Sequence, residues 1–370
     1  MKLKIPYHSL STNRSKLAES NPICGDPMQW FDTEYFRNES LYSTTFDFFI
    51  NWSNNTFQPI AWVKRVIYSG FTIEPNEIMD SIIKCDGKDK FETVKNFCYK
   101  NDINLSYILI PEILTDAWID NNNKVILFDV KKFEENNGAN PVSPMSVKEL
   151  IGLIHSYKVD YKSVRMDSEG LKLSTTSLEY FLSMWNNKIG YKGDAIYPGD
   201  ADIILFDEDY CPKAIIEIKK HSIGSVKRYA STIEEENISL YVKGDKLKYQ
   251  SLDILQRHWN CDFYMLFYPT TSETSIKIQK VSELKALTSK VLPLPNVHSP
   301  VALQNFQSQF VDFMNAKMII ANTTSKNQKV YHTNPHCKYI PHDKTKIIPF
   351  ESEQQAIENN YHLCTACSKE

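Results

Sequence analysis

The sequence predicts an α/β chain, α+β overall. A mixed central sheet flanked by helices is expected in the middle, an α+β region before it and a small metal-held module after it. Three observations carry this. Strand-length apolar runs (ADIILF, KAIIEIK, CDFYMLFYP) occur in the second half with helical patterns around them. The first ~165 residues mix aromatic strand-like runs with polar turns. Of eight cysteines, Cys337, Cys364 and Cys367 crowd near the end of the chain.

Taken in order, TTFDFFINW, AWVKRVIYSGFTI, LSYILIPEIL and KVILFDV read as strands of residues 1–165. DNNNK before VILFDV predicts a hairpin bringing Trp118 near Val125, and Ser146 is placed to cap a helix beginning VKELIGLIHSYK. Residues 166–290 form the central unit. There STTSLEYFLSMWNNKIG is an amphipathic helix, with Leu178, Phe181, Leu182 and Trp185 at helical spacing. ADIILF and KAIIEIK follow as an antiparallel pair joined by DEDYCP, then LDILQRHW as helix and CDFYMLFYP as a third buried strand. Prolines at 293, 295 and 300 open a stretch, 291–328, in which VALQNFQSQFVDFMNAKMIIA reads as one helix and NTTSKNQK as a linker. Residues 329–370 are the final module. No internal repeat is apparent.

With 370 residues, 42% of them apolar, the chain can bury two or three cores, and a net charge of -3 excludes a globally basic coat. It shows neither a membrane-length apolar run nor a signal-peptide core, so a soluble, cytoplasmic protein is expected. Cys24, Cys85, Cys98, Cys211 and Cys261 stand apart, as small buried hydrophobes do.

The run GDADIILFDEDYCPKAIIEIKKHS carries the chemistry. Strand alternation sets Glu217 and Lys219 on one face, with Ile216 and Ile218 on the other. Charges on so apolar a strand need compensation, which a divalent cation or a charged substrate supplies. Asp202, at the head of the preceding strand, brings a second carboxylate, with Asp200 as the alternative. GDADIILF followed by AIIEIKKH resembles the PD-(D/E)xK motif of the restriction endonuclease-like nuclease superfamily, over roughly residues 174–270. The resemblance implies a mixed sheet flanked by helices, with Asp202 and Glu217 as Mg2+ ligands, Lys219 as motif lysine and Glu179 as an additional helical glutamate. Of the two E-x-K triplets, EIK at Glu217 and ELK at Glu283, the first lies in the apolar strand. Lys213, Lys219, Lys220, Lys227 and Arg228, interleaved with His221 and Tyr229, suit phosphate contacts, with Lys220, Lys227 and Arg228 the DNA-contact candidates. Lys246, Lys248, Gln256 and Arg257 fall on the following helix; Gln256 and Arg257 are lesser candidates.

In the tail, His332 and Cys337 pair with Cys364-x-x-Cys367 as a tetrahedral set suited to Zn2+, with His336 as a substitute for His332 and with His342 and His362 as surface residues. Tyr331-His332, Cys337, IIPF, SEQQAIENNY and the Cys-x-x-Cys resemble the Ada-like zinc-binding family of DNA-repair proteins. Asn360 stands where that family has glycine. Histidine in place of the first cysteine removes the thiol that Ada-type methyl transfer needs, so the resemblance implies a structural or DNA-contacting zinc.

Together these readings lead to a Mg2+-dependent endodeoxyribonuclease acting on double-stranded DNA. The resemblance implies restriction or phage defence as its first expected role and DNA repair or recombination as its second. A homodimer is the economical way to cut both strands. The alternatives are an inactive DNA-binding protein of the same fold and an RNA-directed nuclease.

Overall fold

The computed structural model describes residues 2–4, 23–25, 27–31, 40–51, 56–69, 74–111, 124–146, 149–150, 152–153, 199–221, 230–242, 246–269, 273–316, 319–322, 329–333, 337, 339–340, 347–350 and 353–369. The helix expected over 174–190, with Glu179, lies outside them. So do Trp118, Lys227, Arg228, Tyr229, His336 and His342.

Eleven strands make one mixed sheet. In chain order they are β1 (Lys2–Lys4), β2 (Tyr42–Asn51), β3 (Thr56–Ser69), β4 (Asn104–Pro111), β5 (Lys124–Asp129), β6 (Val142–Ser146), β7 (Gly199–Phe206), β8 (Pro212–His221), β9 (Asp262–Pro269), β10 (Ser275–Ser282) and β11 (Lys285–Pro293). Their order across the sheet is β11-β10-β9-β8-β7-β2-β3-β4-β5-β6, with β1 also on β3. The pairs β3–β4 and β8–β9 are parallel. A parallel step needs a long crossover. α1 (Pro75–Asp86) and α2 (Lys88–Lys100) supply the first, α4 (Ser239–Val242) and α5 (Lys246–Trp259) the second, while α3 (Val130–Glu135) follows β5.

Both faces of β7–β9 are covered, which explains why these strands read as unbroken apolar runs. On one face Ile204, Phe206, Ile215, Phe263, Met265 and Phe267 share a core with residues of α1, α2 and α5. On the other, Ile203, Leu205, Ile216, Ile218, Tyr264 and Leu266 meet the 3-10 turn Pro27–Phe31 and α6 (Pro300–Asn315). Gln307 fastens these two by donating to the Trp30 carbonyl at 2.8 Å.

Local chemistry sets the boundaries. The DEDYCP connection closes the expected β7–β8 hairpin. The Asp207 side chain accepts the Cys211 N–H at 2.8 Å, and Tyr210 takes the left-handed conformation (φ 61). Ser146 and Glu149 cap each other's backbone N–H groups at 3.2 and 2.6 Å, a capping box at the expected helix start. Cys24, Cys98 and Cys261 are buried, and burial raises all three thiol pKa values.

The helix expected to run through Ala321 ends at Asn315. Ile319–Asn322 instead forms β12, whose β-branched pair Ile319 and Ile320 is buried in a second sheet. That sheet has the order β14-β12-β13-β15, with β13 (Val330–His332), β14 (Ile347–Phe350) and β15 (His362–Leu363). Its core is Ile319, Ala321, Tyr331, Ala356 and Tyr361, with Ala356 carried on α7 (Glu353–Glu358). Asn360 adopts φ 64 after that helix, the left-handed stop asparagine tolerates. Among the described residues no helix is long and apolar enough to cross a membrane.

Candidate active site and metal centre

Where β7 and β8 diverge, the ladder pairs Ile204 with Ile215 and Ile203 with Ile216. Carried one step on, this register sets Asp202 opposite Glu217. Both carboxylates are buried, at 2% and 1% exposure. Asp202 Oδ2 accepts the Ile218 N–H at 2.7 Å, standing in for a backbone acceptor as the strands part. Glu217 Oε1 faces two ammonium groups, Lys219 Nζ at 3.3 Å and Lys248 Nζ at 2.9 Å. Lys219 also lies over the Tyr249 ring, 5.5 Å from its centroid. Burial raises the Tyr249 hydroxyl pKa, so the phenol stays neutral.

A buried carboxylate without counter-charge is costly. Here two lysines offset it, and because they keep 21% and 26% exposure the cluster reaches solvent. Two hard oxygen donors beside accessible ammonium groups fit a small divalent cation that retains waters, such as Mg2+.

Glu217 and Lys219 share one face of β8, and Ile216 and Ile218 fill the opposite core, as alternation requires. Asp200 sits two residues before Asp202, paired in register with Asp47 of β2. Lys220 falls on the other face from Lys219. Lys248, which the sequence set on the following helix without a role, and Tyr249, which it did not single out, both reach the site. They occupy the first turn of α5, and only the crossover geometry shows that this turn lands on Glu217.

Four groups named beside the motif, Lys213, His221, Gln256 and Arg257, have partners within the fold. Lys213 lies at the hairpin end of β8, bound to Asp207 at 2.7 Å, and that partner raises its pKa. His221 continues the Glu217–Lys219 face but is fully buried, with Nδ1 2.7 Å from Glu236 Oε1. Tyr241 donates to the other Glu236 oxygen at 2.8 Å, and Lys277 donates to the carbonyls of Glu234 and Glu236. Arg257 pairs with Asp253 at 3.1 Å and Gln256 donates to the Val281 carbonyl, so both serve the packing of α5. Glu283, of the second triplet, lies between β10 and β11 with φ 50.

In the tail, one ligand atom from each of His332, Cys337, Cys364 and Cys367 lies within 4.8 Å of the others. Cys337 Sγ is 3.9 Å from Cys364 Sγ, and Cys367 Sγ is 3.8 Å from His332 Nδ1. Tetrahedral zinc with Zn–S bonds of about 2.3 Å has edges of about 3.8 Å, so the set could hold such a metal. Parallel pairing of β13 with β15 brings the two halves of the set together. Burial works to raise the Cys364 thiol, but the backbone N–H groups of Cys367 and Ala366 outweigh it and hold the pKa below its ordinary value. Burial and the adjoining thiols push Cys337 up to about 11, while burial lowers His332 and keeps its imidazole neutral for ligation. His362 is exposed, as expected of a surface residue.

No family model and no curated protein matches the chain. A solved structure described as the sex pheromone staph-cAM373 precursor is 11% identical over 77% of this chain and 97% of that one. Its TM-score of 0.14 carries no argument.

Proposed function

We propose that the chain is a Mg2+-dependent endodeoxyribonuclease of the PD-(D/E)xK type, acting on double-stranded DNA, first in restriction or phage defence. The observation that supports this reading is the buried Glu217 paired with Lys219 on β8, next to the strand whose buried Asp202 accepts the Ile218 N–H. In it, Asp202 and Glu217 would hold the cation. When bound, Mg2+ supplies Lewis-acid polarisation of a phosphoryl oxygen. Lys219, braced by the Tyr249 ring, orients the attacking water and donates to the oxygen on which negative charge grows. Lys248 adds a second ammonium group that balances the carboxylates and attracts the phosphate backbone. The Ada-like module, its zinc held by His332, Cys337, Cys364 and Cys367, is a structural unit that helps seat the DNA.

The test is cleavage of plasmid DNA and of structured RNA, with Mg2+ or EDTA, by wild type, Glu217→Ala and Lys219→Ala. Cation-dependent DNA cleavage lost in both variants is expected. Undiminished cleavage by Lys219→Ala would refute the assigned roles, and cleavage confined to RNA would move the substrate class.

A further inference from the structure

The large sheet is one five-stranded unit built twice. Outward from the β2–β7 junction, each half has an antiparallel pair (β2–β3, β7–β8). A helical crossover then leads to a strand parallel to the second (β4, β9), and two more antiparallel strands follow (β5–β6, β10–β11). The agreement extends to single residues at one constant displacement. α2 and α5 begin at Lys88 and Lys246, β4 and β9 begin at 104 and 262, and both strands end on proline, Pro111 and Pro269. Each helix exits through a left-handed residue, Asp102 (φ 53) and Asn260 (φ 50). The next N–H then reaches back to the carbonyl five residues earlier, Ile103 to Cys98 at 2.8 Å and Cys261 to Gln256 at 3.2 Å. Phe91 and Tyr249, Val94 and Leu252, and Phe97 and Leu255 are buried equivalents in one shared core.

The register carries this equivalence to the candidate site. Ala61 pairs with Asn104 as Ala214 pairs with Asp262, so Lys64 stands where the second half has Glu217, and Val66 where it has Lys219. The pairing of Asp47 with Val63, carried one step on, puts Phe46 in the place of Asp202. The first half repeats the architecture without the carboxylate–lysine set.

We propose that the chain is an intramolecular dimer of two like lobes with a single cleavage centre in the second lobe, and that it nicks one strand of duplex DNA per encounter. This rests on the nuclease reading. Antiparallel pairing of β2 with β7 relates the lobes by an approximate two-fold, and two working centres so related suit the two strands of a duplex. Among the described residues, only the second lobe carries the set. In the single hydrolysis, water oxygen bonds to phosphorus, one P–O ester bond breaks, and the water proton passes to the departing sugar oxygen. The partner lobe that a homodimer would bring is already present, and the edges of β2 and β7 are mutually covered.

The test follows supercoiled plasmid with full-length, zinc-loaded protein and Mg2+, together with the mass of the protein on a short duplex by light scattering. Expected is complete conversion to nicked circles before linear DNA forms, at a rate first order in protein, and one chain of 42.9 kDa on the duplex. Linear DNA formed directly from supercoiled plasmid, or two chains per duplex, would overturn the one-strand inference and leave the nuclease reading intact. No cleavage with any divalent cation would overturn both.

Discussion

The two lobes of the large sheet share strand order, helix exits and buried positions, yet differ at one hairpin. In the first lobe β3 carries Lys64 and Val66, where β8 carries Glu217 and Lys219. The fold therefore does not require the polar set. It tolerates the set where two lysines and a parted ladder offset two buried carboxylates.

The largest effect should separate the lobes outright. Glu217→Ala is expected to lower DNA cleavage by ~10^3-fold or more, whereas Lys64→Ala changes it by less than about threefold, both by initial rates on plasmid. Equal losses would break the comparison. Packing should instead treat the lobes alike. Phe97→Ala, which empties the space against Phe206 and Trp259, should cost ~3–5 kcal/mol, and its equivalent Leu255→Ala ~2–5 kcal/mol, by urea denaturation. A negligible cost at either position would deny the shared core.

The tail offers a third case, a ligand set of one imidazole and three thiols. Burial lowers the His332 pKa, so below its unfolded value of 6.5 the unfolded chain binds more protons than the folded one. Stability and metal retention should hold above that pH and fall as pH drops below it, read by a zinc-sensitive dye. Retention unchanged down to pH 4 would contradict His332 as a ligand. The smallest effect belongs to the buried pair beyond Lys219. Tyr241→Phe removes the hydrogen bond to Glu236 and should cost ~1 kcal/mol in the same melts, with zinc content unchanged.

Much of the second lobe was legible because its signals are local. Alternation along AIIEIK sets the face of Glu217 and Lys219, DEDYCP encodes the β7–β8 turn, and Ser146-x-x-Glu149 encodes a cap. The His332, Cys337, Cys364 and Cys367 set, which could hold a metal, was legible from spacing. The duplication was not, since FETVKNF and YQSLDIL have no identical residue at equivalent positions, and the apolar spacing they share is one many helices have. Lys248 and the burial of His221 were hidden for a related reason: both depend on where the crossover returns across the sheet. β12 was missed because Ile319 and Ile320 continue a helical apolar pattern, and their partners β13 and β14 lie farther along the chain.

Counting bound cations decides whether the twice-built sheet has one working centre. Titration of zinc-loaded protein with Mn2+, read by the electron paramagnetic resonance of free Mn2+, should give one site per chain, lost in Glu217→Ala and kept in Lys64→Ala. Two sites per chain, or a site that survives Glu217→Ala, would contradict it.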